Sequence, residues 1–206
     1  MSNEISLDEI IKFWPKDAPD VSNIPKYVKK YQKDLIVIKY GGNVLIDRNI
    51  FNNFIQDISV LNKLGLSIVV VHGGGPRIER ELKKGNIQSE FINGLRVTNK
   101  KVIDIVEKVL IDFNTDIVES VKKRGSKAVP INTKLNNVIN VVPDKPELGF
   151  VGIPKEIDVN MIKKIISENQ IPIVAPLGLD RNNQTYNING DTAASAIAKK
   201  LKSRRL

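Results

Sequence analysis

The sequence has no cysteine and a single histidine, His72. Without cysteine there are no disulfides and no thiolate metal sites, and a cytoplasmic protein is the default expectation. One histidine excludes a cluster of imidazole ligands, so no metal site is expected. No apolar run approaches the roughly 20 residues of a membrane helix, and no membrane partner is expected. The first twenty residues interleave Glu4, Asp8, Glu9 and Asp17 with apolar residues, which does not read as a secretory signal. Aromatics make up 5% of the chain, too few for a base-stacking platform, and the net charge of +9 is spread along the whole length. No nucleic-acid partner is expected.

What is present reads as an α/β chain with a mainly parallel sheet. With 206 residues, 41% of them hydrophobic, it can bury a sizeable core. Leu35 to Ile38 and Ser67 to Val71 are short β-branched runs of the kind a doubly covered parallel strand needs. Between them Ile50, Phe54, Ile55, Ile58 and Leu61 recur at helical spacing, with Gly65 as a stop. Further helices are expected from Pro76 to Gly85, from Val102 to about Gly125, from Val159 to Glu168 and from Thr192 to about Leu201. A third strand is expected at Ile171–Ala175, and residues 128–153 read as an excursion of small strands or hairpins outside the βαβ pattern. The first thirty-odd residues stand apart, with two short amphipathic segments separated by Pro15, Pro19 and Pro25. They read equally as a helix packed on its own domain or as an arm packed on another subunit.

Two glycine-rich turns directly follow strands: Lys39-Tyr40-Gly41-Gly42-Asn43 and His72-Gly73-Gly74-Gly75-Pro76. In a parallel sheet both lie at the carboxyl edge, where ligands gather. Consecutive glycines let backbone N–H groups approach an anion, the helix opening at Pro76 adds its dipole, and Lys39 can neutralise phosphate oxygens. The bland alternative is a pair of tight turns. No Gly-x-x-x-x-Gly-Lys-Ser/Thr is present, and Ile78 occupies the third glycine position of a dinucleotide fingerprint. The lipase oxyanion loop also reads His-Gly-Gly-Gly, but no Gly-x-Ser-x-Gly elbow accompanies it here. Arg96, in Gly94-Leu95-Arg96-Val97-Thr98, is either a surface charge or a carboxylate grip. Asp191, in Asn187-Ile188-Asn189-Gly190-Asp191, is either a helix cap or a site residue.

Together with Leu148-Gly149-Phe150-Val151-Gly152, these segments resemble the amino acid kinase family, in particular its branch acting on N-acetyl-L-glutamate in arginine biosynthesis. The likeness runs from about Ile24 to Leu206, and the order and spacing of five segments carry it. It implies a three-layer α/β sandwich of the carbamate kinase-like fold, with a helical arm over residues 1–33 and an acyl-amino-acid-binding lobe over 34–206. It further implies that the γ-phosphate of ATP, carried with Mg2+, passes to the side-chain carboxylate of N-acetyl-L-glutamate. Under the resemblance Lys39 stabilises the transferring phosphoryl group, and Asp191 orients lysine. Gly41, Gly42, Gly74 and Gly75 offer N–H groups, while Arg96 and Asn187 hold the substrate. Residues 24–31 resemble the N-terminal helix of the hexameric members, which implies a homo-oligomer, a dimer or a hexamer built through the arm.

Two departures accompany the likeness. Pro130-Ile131-Asn132-Thr133-Lys134 stands where members usually carry a Gly-Leu-Ser-Gly-Lys-Asp-like stretch. Members also continue well past the point matching Leu206, into most of the ATP-binding lobe with its second catalytic lysine. The expectation is therefore a C-terminal lobe largely missing from this chain, and little or no kinase activity from the chain alone. The basic residues 199–206 are read as a solvated helix end leading into a strand that has not begun. A non-catalytic acyl-amino-acid-binding or oligomerisation module, and a kinase for another carboxylate, remain open beside the main reading.

Overall fold

The computed structural model describes residues 7–12, 14, 16, 18, 20–32, 34–41 and 47–206. Strands β1 (Leu35–Tyr40) and β2 (Ser67–His72) pair in parallel along their full length, from Leu35 opposite Ser67 to Tyr40 opposite His72. β8 (Ile171–Val174) lies on the other side of β2, and β5 (Ala128–Ile131) beyond it, so the sheet order is β1-β2-β8-β5 and every pairing is parallel. Period-two alternation splits this sheet into two apolar faces. Ile68, Val70, Ile171 and Ile173 face one way, onto Ile55 and Ile58 of α3 (Arg48–Lys63) and Phe113, Ile117 and Val121 of α5 (Lys100–Lys123). Val37, Val69, Val71 and Val174 face the other, onto Ile162 and Ile165 of α6 (Val159–Ser167) and Ala194 and Ile197 of α7 (Gly190–Leu201). The layers are thus helix, sheet, helix.

Residues 128–131 were expected outside the parallel pattern, and the structure corrects this: β5 is the outermost strand of the main sheet. The run reads as a small strand in the sequence, and the difference is the sheet it joins; an edge position is where a strand tolerates the missing N–H of Pro130. The rest of the excursion supplies β6 (Ile139–Pro143) and the start of β7 (Gly152–Ile157), which join two later strands in a second sheet of order β10 (Thr185–Asn187), β9 (Leu177–Leu179), β6, β7. β6 and β7 make the expected antiparallel hairpin. Helix α4 (Gly75–Lys84) packs Ile78 and Leu82 against Val102, Val106 and Leu110 of α5. The hairpin β3 (Phe91–Ile92) and β4 (Leu95–Arg96) turns through Asn93 and Gly94, at φ 50° and 79°. That sign at both central positions is the demand an Asn-Gly pair meets.

At the N-terminal side, α1 (Leu7–Ile11) and α2 (Ile24–Tyr31) flank a short 3-10 turn at Val21–Asn23. Pro25 sits in the first turn of α2, while Pro15 and Pro19 lie outside the described residues. Tyr31 packs against the α3-side core, so α2 rests on its own domain at that end, and Ile11 and Tyr27 are exposed. Of the basic C-terminal residues, Lys199 and Lys200 form the exposed helix end expected, whereas residues 203–205 do more. Lys202 ends α7 in the left-handed region, after which Arg204 N–H donates to the Leu35 carbonyl at 3.1 Å and Val37 N–H to the Arg205 carbonyl at 3.0 Å. The segment lies parallel along the outer edge of β1, the side of that strand away from β2, and Arg204 meets Asp34 at 3.2 Å. Among the described residues no helix is long and apolar enough to cross a membrane.

Candidate active site

The two glycine turns are joined at the carboxyl edge of the sheet: Gly73 N–H donates to the Tyr40 carbonyl at 2.6 Å. Beside the second turn and the start of α7 lies a cavity of about 210 Å³ lined by Lys39, Gly73, Gly74, Gly75, Arg96, Asn187 and Asp191, among others; Gly41 is not one of its lining residues. Lys39, one residue before the end of β1, reaches across it to Asp191, with Nζ 3.1 Å from Oδ1. A Cβ added at Gly41 would stand 2.8 Å from Lys39 Cε and Nζ, so the glycine leaves room for the lysine stem to fold that way. A Cβ at Gly75 would meet nothing within 4 Å, so the space in front of it belongs to the cavity. Gly42 lies outside the described residues.

Asp191 is not the cap of α7. Asn189 takes that role, accepting from Asp191 N–H at 2.9 Å and Thr192 N–H at 3.0 Å. The Asp191 carboxylate is therefore released from local backbone duty. Asn187, Ile188 and Asn189 all line the cavity, so strand alternation does not set the asparagines apart; β10 ends at Asn187 and Asn189 already caps the helix. Asn187 Nδ2 donates to Thr98 Oγ1 at 3.3 Å, and Thr98 Oγ1 donates in turn to the Arg96 carbonyl at 2.9 Å. Thr98, fully buried, thereby ties the two expected substrate residues together.

Arg96 is the buried alternative rather than the surface one, its side chain 8% exposed. Its Nη1 donates to Glu79 Oε2 at 3.2 Å and to Ser89 Oγ, and its guanidinium lies over the Phe91 ring at 4.6 Å. Hydrogen bonds from Ser89 and then Arg96 hold the Glu79 carboxyl below the usual carboxylate range. Glu79, Ser89 and Phe91 were not found from the sequence. A carboxylate one turn into the helix that opens at the glycine turn was the available signal for Glu79. Behind the cavity, Glu107 Oε1 accepts from Thr133 and Thr185, each at 2.7 Å, and meets Lys134 Nζ at 3.2 Å. Burial alone would push the Glu107 carboxyl up, but the bonds from Thr185, Thr133 and Lys134 outweigh it and the net direction is down. The segment that departs from the family pattern thus supports β10, which carries Asn187.

Chemically, the cavity brings together Lys39, the glycines of the second turn and the buried Arg96 guanidinium. That pairing suits a small molecule with two anionic groups. No three His, Asp or Glu side chains converge as a metal site among the described residues.

The sequence pattern of the amino acid kinase family matches residues 34–206. The chain is 51% identical over 199 residues to the acetylglutamate kinase of Pelagibacter ubique (strain HTCC1062), covering 97% of this chain and 69% of that protein. It is 43% identical over 190 residues to the acetylglutamate kinase of Jannaschia sp. (strain CCS1), covering 92% and 67% respectively. The chain therefore spans about two thirds of the length of these relatives. Among solved structures, a carbamate kinase from Giardia lamblia bound to AMP-PNP superposes with a TM-score of 0.56 over 82% of this chain and 68% of that one. At 17% identity that likeness speaks for the fold alone.

Proposed function

This chain belongs to the amino acid kinase family, and we propose that it serves the transfer of the γ-phosphoryl group of ATP to the side-chain carboxylate of N-acetyl-L-glutamate, in arginine biosynthesis. The observation that carries the reading is the Lys39–Asp191 pair at 3.1 Å, sharing one cavity with Arg96, Asn187 and the second glycine turn. In the reaction a carboxylate oxygen of the substrate bonds to the γ-phosphorus while the bond from phosphorus to the β,γ-bridging oxygen breaks. ADP leaves with that electron pair, and an acyl phosphate remains. The nucleophile is already ionised at neutral pH, so no general base is required. Catalysis then rests on positioning and charge neutralisation.

Each residue takes a part in this proposal. Arg96 grips the α-carboxylate, with Asn187 beside it. Gly74 and Gly75, together with Gly41 and Gly42, offer N–H groups to substrate and phosphate oxygens. Lys39 neutralises the equatorial oxygens of the transferring group, and Asp191 keeps its ammonium aimed there. Mg2+ arrives bound to ATP as part of the substrate complex. The division into an arm, residues 1–33, and a lobe, 34–206, is supported by the start of the family match at residue 34. The exposed Ile11 and Tyr27 fit an arm that contacts a further copy of the chain, in a dimer or a hexamer. The reaction is placed in the cytoplasm, where ATP is supplied.

One observation favours a second reading. Among the described residues lining the cavity, Lys39 is the one lysine, while Arg96 is engaged by Glu79 and Ser89, and a single lysine is a weak clamp for a transferring phosphoryl group. On that reading the 206 residues hold the acyl amino acid without turning it over. Calorimetry with N-acetyl-L-glutamate, set beside hydroxylamine trapping of the acyl phosphate in MgATP, separates the outcomes. Binding with trapped product supports the kinase, binding without product supports the module, and no binding overturns both.

A further inference from the structure

The one histidine of the chain is spent in the interior. His72, the last residue of β2, is 0% exposed, and so is Asn114 in the middle of α5; Asn132, just after β5, is 2% exposed. His72 Nδ1 lies 2.8 Å from the Gly73 carbonyl, and its Nε2 lies 3.1 Å from Asn114 Nδ2. Asn114 Nδ2 also donates to the Ile173 carbonyl at 2.8 Å, and Asn132 Nδ2 donates to Asn114 Oδ1 at 3.2 Å. Asn132 Oδ1 closes the chain by accepting from Lys134 and Leu135 N–H, each at 2.9 Å.

Only one proton arrangement satisfies this network. A carbonyl can only accept, so the Ile173 oxygen fixes the Asn114 amide with its nitrogen inward. That nitrogen donates to Nε2, which must then carry the lone pair. Nδ1 therefore carries the proton and donates it to the Gly73 carbonyl. Burial, the largest influence, pushes the imidazole down to about 4, in keeping with a ring held neutral.

The Gly73 carbonyl and the Gly74 N–H belong to one peptide plane, and no peptide bond among the described residues is cis. In a planar trans unit the two point in opposite directions. With the carbonyl drawn inward to His72, the Gly74 N–H is turned outward, toward the cavity that Gly74 lines. It donates to no backbone carbonyl among the described residues.

We propose that His72 is a positioning residue which, braced by Asn114 and Asn132, locks the Gly73–Gly74 peptide plane and so aims the Gly74 N–H at a ligand oxygen. The pattern-breaking segment at 130–134 has a part in this, since Asn132 supplies the outer brace. The inference rests on the acyl-amino-acid reading of the cavity for the identity of the ligand, and on the hydrogen-bond network for the mechanism.

The test uses the unmodified chain, His72→Asn and His72→Gln. Asparagine can keep a donor at the Nδ1 position, whereas glutamine can keep only the Asn114 contact. Because His72 stands alone, the histidine side-chain 15N spectrum has one pair of signals, and it is expected to show the Nδ1-protonated neutral form. Residual dipolar couplings are expected to give the same Gly74 N–H direction in the unmodified chain and His72→Asn, and a different one in His72→Gln. N-acetyl-L-glutamate affinity is expected to stay within about threefold in His72→Asn and to fall about tenfold or more in His72→Gln. An Nε2-protonated or charged ring in the unmodified chain overturns the proposal, and so does an unchanged Gly74 direction in His72→Gln. If a variant does not fold, the tautomer measurement on the unmodified chain still decides. Failure of the unmodified chain to bind N-acetyl-L-glutamate would instead count against the ligand reading, leaving the tautomer and dipolar measurements to judge the positioning role.

Discussion

Asn189 caps the last helix, and Asp191, two residues on, is thereby left to face Lys39 at 3.1 Å. One short stretch of chain thus divides a structural duty from a chemical one. The division can be measured. Asn189→Ala removes a two-bond cap and is expected to cost about 1 kcal/mol of stability. Asp191→Ala touches a side chain that is 73% exposed, and should change stability by no more than about 0.5 kcal/mol while disturbing Lys39. Urea denaturation of both variants checks the contrast, and equal losses would refute it.

Glu79 occupies part of the guanidinium that the substrate carboxylate is proposed to use. If Glu79 acts as a brace, with Ser89 and Phe91, Glu79→Ala frees the arginine and weakens N-acetyl-L-glutamate binding by about two- to tenfold, the cost of ordering one long side chain. Arg96→Ala is expected to weaken it by about 30-fold or more. Calorimetry on the pair decides the matter. Tighter binding in Glu79→Ala would make Glu79 a competitor for the site instead.

His72 gives stability a dependence on pH. Above pH 6.5 both folded and unfolded chains hold a neutral imidazole. Between 6.5 and about 4 the unfolded chain takes up a proton that the buried ring does not. Stability is therefore present at neutral pH and lost as pH falls through that interval, by about 3 kcal/mol in all. Denaturation midpoints measured from pH 7 to pH 5 capture much of this before the carboxylates begin to titrate. A flat profile across that range would contradict it.

Glu107 is the common acceptor for Thr133, Thr185 and Lys134, and links α5 to β10. Glu107→Ala leaves two threonine hydroxyls without their partner, and is expected to cost about 1–3 kcal/mol. Since β10 ends in Asn187, affinity for N-acetyl-L-glutamate should fall as well. A loss of stability with unchanged affinity would confine Glu107 to packing.

The order of elements and the facing of the cavity were legible because each depends on local pattern. Val69 and Val71 alternate with Ile68 and Val70, Asn93-Gly94 announces its hairpin, and both glycine turns follow apolar runs directly. The residues that hold the site are another matter. Glu79 lies 17 positions from Arg96, and Asn114 lies 42 from His72. Both sit on helices whose polar positions look like ordinary solvated or tolerated residues. Nothing along the chain marks Asn114, the one asparagine within α5, as pointing inward at a histidine. Residues 128–131 are legible as a strand, but the sheet they join depends on Ile171–Val174, about forty positions away, and so is not. The same holds for residues 203–205, since their charge was visible and the open edge of β1 was not.

Helix α5 passes behind the whole cavity. Leu110 lies where a Cβ on Gly74 would fall, 2.5 Å away, Asn114 holds His72, and Glu107 holds Thr185. Two helical turns therefore serve as a single gauge for three parts of the site that the chain itself keeps far apart. A distortion in the middle of that helix would not remove any one donor. It would spread all of them over a range of spacings, and a ligand with two anionic groups would meet an average of many sites in place of one.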